Sequence, residues 1–231
     1  MDLEIQYIFR FADGSESLFA IHLDKQRLEP LNPPADPPEW TRLGFHQCSN
    51  CPLNEEESPY CPQARALSVP VDQLSTVLSY DKVEVEVITP ERHIRHRTSA
   101  QGGISAMMGL IIATSGCPRM NFLKPMARFH LPFATEIETI YRATSMYLLG
   151  QLLRSQRGLP AELDLSGLVS RYREVETVNR AMAQRLRAAS QQDGTVNALI
   201  LLDMFAKSMP FAVDQILPEL ETLYTDYLQM S

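Results

Sequence analysis

At 231 residues, 45% hydrophobic and 21% charged, the chain is long enough to bury a full core and has the usage of an ordinary globular protein. That excludes a disordered, collagen-like or low-complexity chain. The net charge of −7 argues against broad nucleic-acid binding, and no apolar run approaches the ~20 residues needed to cross a bilayer.

Residues 3–11 alternate apolar and polar, with Leu3, Ile5, Tyr7 and Phe9 on one side. Asp13-Gly14 follows and then a second β-like run, SLFAIHL, so the spacing predicts a hairpin. Prolines 30, 33, 34, 37 and 38 next stiffen a connector, read as a linker rather than a recognition motif. The cysteine segment 46–62 reads as a loop, and VPVDQLSTVLS after it as a short helix. KVEVEVIT then alternates strictly, and Thr89-Pro90-Glu91-Arg92 turns it into HIRHRTS, a second hairpin predicted to share one antiparallel sheet with the first.

From residue 102 the pattern becomes helical. GISAMMGLIIATSG is apolar nearly all round, which predicts a buried helix ending at Gly116. PMARFHLPF, with Pro125 and Pro132, is expected to be irregular. Thr135 and Glu138 form a capping box for a helix running to about Gln156. Leu168, Tyr172, Val175, Met182 and Leu186 mark a helix over 166–190, and two more are expected at 195–208 and 211–229, broken near Pro210. The fold class is therefore α+β: a β-hairpin-rich region with a cysteine loop over 1–101, and a helical region over 102–231 packed with it as one unit.

The N-terminus carries Asp2 and Glu4 and lacks the basic region and cleavage site of a signal peptide, which predicts a cytoplasmic protein. In a reducing compartment clustered cysteines bind metal or do redox chemistry more often than they pair as disulfides. Cys48, Cys51, Cys61 and Cys117 follow the pattern C-x2-C-x9-C and then a fourth cysteine at the end of the buried helix. Two thiolates separated by two residues reach one metal from a single turn. Four soft thiolates suit tetrahedral Zn2+ or an iron–sulfur cluster and disfavour Mg2+ and Ca2+. Cys51, Cys61 and Cys117 each precede proline, as in ferredoxin-type motifs, although the spacing matches none of their usual runs. Zinc is the expected cofactor, with an iron–sulfur cluster as the alternative. His46 and His130 are candidate substitute ligands or site neighbours, each with a plain alternative as a solvated or a satisfied core histidine.

The charge is uneven: residues 91–133 carry six Lys or Arg against the single acid Glu91. Arg92, His93, Arg95 and Arg97, with Gly102 and Gly103 at a helix start, form a candidate anion site; the competing reading is a basic edge strand protected from aggregation by its charge. The partner expected there is a small anionic ligand or a protein, not nucleic acid, because no aromatic interleaving accompanies the bases. A homo-oligomer through the helical half stays open. No catalytic constellation is recognisable, so whether the chain is an enzyme is undecided at this level. Cys117 with His130 is a poor nucleophile pair, because the end of a helix opposes a thiolate.

The segments HQCSNCPL, TSAQGGISAMMGLIIATSGCPRM and FHLPFATEIET resemble a family of uncharacterised bacterial proteins that carries only a domain-of-unknown-function label. The resemblance covers residues 1 to about 225 and implies a bacterial cytoplasmic protein. It brings no activity and no catalytic residues.

Overall fold

The computed structural model describes residues 2–230; Met1 and Ser231, the outer ends of the two expected regions, lie outside the described residues. Strands β1 (Asp2–Phe11) and β2 (Glu16–Asp24) form the first hairpin. Gly14 takes φ +86°, a turn conformation that favours glycine. Strands β3 (Lys82–Ile88) and β4 (His93–Ser99) form the second hairpin, and the antiparallel sheet has the order β2-β1-β3-β4.

One face of this sheet is apolar. Leu3, Ile5, Tyr7 and Phe9 of β1 and Val83, Val85 and Val87 of β3 are all buried on it, as period-two alternation dictates. Against it lies α2 (Ala100–Thr114), capped by Ser99, whose hydroxyl accepts from the Gly102 N–H. Helix and sheet meet at Gly103: a Cβ there would stand 2.7 Å from Val85 Cγ2 and 2.9 Å from the Phe9 ring. We expect Gly103→Ala to lower stability by about 1–3 kcal/mol, the usual cost of overpacking, measured by urea denaturation. An unchanged midpoint would mean that α2 can lift from the sheet freely.

The other face carries charge. Glu86, almost buried, receives Arg10 at 2.5 Å, pairs with His93 and lies 3.4 Å from Arg95, while Glu84 receives Arg97 at 3.0 Å. Arg10 holds the Glu86 carboxyl down to about 2, against the opposing effect of burial and with help from His93 and Arg95.

Helix α6 (Gly194–Glu221) packs along α2, α4 (Glu136–Gln156) and α5 (Ser166–Ala189) pack on α6, and one hydrophobic cluster runs from the sheet through them. The Thr135–Glu138 capping box forms as expected, and Gly158 takes φ +69° where α4 ends. Three boundaries differ from expectation. Helix α1 is Pro62–Gln73, not 69–79, because Pro62 occupies the first turn, where a missing N–H costs nothing. Pro125 likewise opens a short helix, α3 (Lys124–Arg128), in the stretch expected to be irregular. The break expected near Pro210 comes just after it: α6 stays helical through Pro210, and the axis turns by 69° between Gly194–Ala212 and Leu217–Gln229, the second of which includes α7 (Thr225–Gln229). No single helix among the described residues is long and apolar enough to cross a membrane.

Candidate metal centre

The four cysteines reach one region from three elements. Residues 41–43 run antiparallel to 59–61: the Cys61 N–H donates to the Thr41 carbonyl at 2.8 Å, and the Leu43 N–H to the Pro59 carbonyl at 2.9 Å. The loop between these rungs holds Cys48 and Cys51, joined in a turn by the Cys51 N–H donating to the Cys48 carbonyl. Cys61 is the residue that caps α1, so its sulfur sits at the positive end of a helix, with the N–H groups of Gln63 and Ala64 directed at it. Cys117 follows Gly116, whose φ of +83° ends the run of α2, and receives the N–H groups of Arg119 and Met120.

All four thiols are free. Burial pushes Cys48 up to about 12 and Cys117 up to about 11, and raises Cys61; mutual repulsion among the four sulfurs adds to each. Cys48, Cys61 and Cys117 are therefore held as neutral thiols, and a metal must displace their protons to bind. Among the described residues no group of three or more His, Cys, Asp or Glu side chains is arranged to hold a metal ion as it stands. The thiols share a neighbourhood in which each feels the others' charge, without that closer grouping.

Three residues missed in the sequence complete the region. Arg185 of α5 is 1% exposed, and its guanidinium donates to the carbonyls of Trp40 and Arg42 at 2.7 Å and of Leu43 at 2.8 Å. No carboxylate pairs with it among the described residues; burial lowers its pKa, and the anionic forms of Cys61, Cys48 and Cys51 are what oppose that fall. Arg119 donates through Nε to the Asn50 carbonyl at 2.8 Å and through Nη1 to Glu174 at 3.0 Å, fastening the Cys48–Cys51 turn to α5 and to the Cys117 loop. Asn50 adds a bond from its amide to the Glu174 carbonyl at 3.1 Å.

Buried polar atoms without partners gather here. They include Asn50 Oδ1, both amide atoms of Gln63, Glu174 Oε2 and Arg185 Nε; among the described residues only Asp203 Oδ1 stands apart. Buried groups are nearly always satisfied, so this clustering marks a place where a component is due. Four thiols, inward N–H groups and a buried cation form a donor set that fits a metal–thiolate centre, whose net charge is negative.

The remaining candidates lie elsewhere. His46 is exposed, in a left-handed conformation (φ +47°), with its ring edge-on to Phe45. His130 is hydrogen-bonded through Nε2 to the Tyr7 hydroxyl at 2.5 Å. Burial, and then the charge of Arg142, pull its pKa down to about 3. His93, Arg95 and Arg97 do project from one face of the edge strand β4, opposite Glu84 and Glu86 as described; Arg92 is exposed at the turn. Gly102 is the residue whose N–H the Ser99 cap receives, and Gly103 faces Val85 and Phe9.

A folded pKa of about 3 against 6.5 means that between those values the unfolded chain takes a proton at His130 and the folded one does not. Its contribution to stability is therefore present above about pH 6.5 and is lost as the pH falls through this window. We expect His130→Gln, which can keep the bond to Tyr7, to flatten the decline in stability between pH 6.5 and 5 in urea titrations. A parallel decline in both proteins would show that His130 is not the group responsible.

The model of a family described as a domain of unknown function, DUF6901, matches residues 5–225. This agrees with the resemblance and with its extent over most of the chain. No curated protein and no solved structure matches.

Proposed function

We propose that this chain, which belongs to the DUF6901 family, is a metal-binding protein in which Cys48, Cys51, Cys61 and Cys117 hold one metal centre within a binding or regulatory module. The observation that carries this reading is Arg185. A fully buried cation without a carboxylate is costly, because its desolvation is offset only by an opposite charge nearby. Among the described residues the anions that act on it are the thiolates, and a metal is what would make those thiolates stable in a buried site.

Zn2+ is the ion that four thiolates at a closed, structural position select first. It would staple the cysteine loop to the end of α2, while Arg119 ties both to Glu174 of α5. An iron–sulfur cluster is the second reading, and a specific observation favours it: the four thiols are neighbours, yet no three of them are grouped as for a single ion, and a polynuclear centre spans a wider set. The Nε of Arg185 and the amide of Gln63 would then be free donors for sulfur, the kind of bond that tunes cluster potential. A cytoplasmic location goes with either reading, since a reducing compartment keeps the four thiols available.

The test is metal analysis with a visible spectrum on protein purified without oxygen from iron- and zinc-sufficient cells. One zinc per chain and no colour supports the staple. Iron with sulfide and a broad absorption near about 400 nm supports the cluster. Protein that carries neither, and takes up neither on reconstitution, overturns the proposal.

A further inference from the structure

A second candidate site has no cysteine in its lining. Helices α2, α4, α5 and α6 and the segment 130–134 enclose a cavity of about 370 Å³, within the size range of small-molecule pockets. Its walls are mostly apolar, with Leu123, Met126, Val175, Leu202 and Phe205 among them.

Into this apolar space face polar side chains with no hydrogen-bond partner among the described residues. Asn179 is 3% exposed, Tyr172 4% and Ser105 8%, and among the described residues the side-chain polar atoms of none of the three make a hydrogen bond. Their polar atoms are not among the fully enclosed ones, so they open onto the cavity, where a bound group can pair with all three. Water alone is a poor answer for a space this large and this apolar, because each ordered water needs two to four polar partners.

The remaining polar group sets the charge. Arg142 of α4 lines the same cavity, and one of its terminal nitrogens donates to the carbonyls of Met126 and Phe129 at 2.9 Å each. Its nearest acid in sequence, Glu138, is occupied by the helix cap, accepting from the Thr135 N–H at 2.7 Å and from its hydroxyl at 2.8 Å. Arg142 therefore keeps a half-buried positive charge that makes no ion pair among the described residues, with Glu138 acting on it only from a distance. His130 beside it is neutral and engaged by Tyr7, so it adds no second charge.

We propose that this cavity binds a small monocarboxylate with an apolar body: Arg142 takes the carboxylate, Tyr172 and Asn179 supply hydrogen bonds, and the walls from α2 and α6 receive the hydrocarbon. The single cation suits one carboxylate rather than a phosphate ester, and the depth of apolar wall excludes a sugar acid or an amino acid zwitterion.

Calorimetric titration with sodium octanoate tests this, with 1-octanol as the same tail without charge. The expected result is saturable one-to-one binding of octanoate and at least tenfold weaker binding of octanol. Arg142→Met should weaken octanoate at least tenfold. Because Arg142 also holds two backbone carbonyls, Ala106→Phe is the companion variant: it fills the cavity from α2 without touching Arg142, and should abolish binding while the protein melts cooperatively. No saturable octanoate binding by the wild-type protein, or equal binding of octanoate and octanol, or full binding by a folded Ala106→Phe protein, overturns the proposal. Metal content should be unchanged in these variants, so failure here leaves the cysteine centre standing and the reverse is also true.

Discussion

Cys61→Ser is expected to lose the metal while keeping the fold of its own helix. Serine is among the best residues for a helix cap, so α1 should still start at Pro62 and the change isolates the thiolate. What would disappear is one of the four proposed ligands, at the position best prepared for an anion, with the N–H groups of Ala64 and Gln63 favouring its charged form. Loss of an outer partner of a ligand typically costs 10–100-fold in metal affinity; loss of the ligand itself should exceed that. Metal content by mass spectrometry should fall from one equivalent of zinc, or from a full cluster, to near zero. The thermal midpoint should drop to that of chelator-treated wild-type protein and no longer respond to chelator. A variant that retains a full complement of metal would remove Cys61 from the site.

Arg185→Met is the second large effect, and it acts through two separable routes. Methionine can occupy the apolar stem of the cavity left behind, but the carbonyls of Trp40, Arg42 and Leu43 lose their donors together. The expected loss is about 3–5 kcal/mol, in line with breaking a buried charged network from one side. The other route is electrostatic. Arg185→Lys keeps the positive charge but cannot fork to three carbonyls, so it should be destabilised while holding metal better than Arg185→Met. Urea denaturation reads the first route, and competition with a chromophoric chelator reads the second. In a cluster-bearing protein the second readout becomes the reduction potential, which should fall when the cation is removed. Equal metal affinity in all three proteins would mean that Arg185 serves the loop alone.

Much of the fold was legible because its signals are local. The Asp13-Gly14 turn, the strict alternation through Val83, Val85 and Val87, the Thr135–Glu138 capping box and Gly116 each need only a few neighbouring residues to be read. Errors arose where proline was given one meaning. Pro62 and Pro125 sit in first turns, where they start helices, and Pro210 lies within a helix that continues past it. The cysteines could be grouped by spacing, yet the residues that make their surroundings, Arg185, Arg119 and Asn50, come from distant parts of the chain. One signal was available: Arg185 lies three residues after Met182 and just before Leu186, on the apolar stripe of α5. An arginine on that face has to be buried, and a buried arginine needs a reason. The cavity had no such sign, because Arg142, Tyr172 and Ser105 converge only once four helices have packed.

The two backbone rungs that join residues 41–43 to 59–61 have a further consequence for what the chain can tolerate. They close the intervening residues into an omega loop whose base is fixed before its tip is reached. Cys61 therefore takes its position from Thr41, not from the length of chain between them. Lengthening the exposed acidic turn at Glu55–Glu57 by a few residues adds only a small closure entropy, about 0.6 kcal/mol for a doubling of loop length. A protease cut in that turn should likewise leave both halves docked. The same insertion placed between Cys48 and Cys51 would break the turn itself. Within one short loop, then, one stretch is free to drift in length and another is held to the residue.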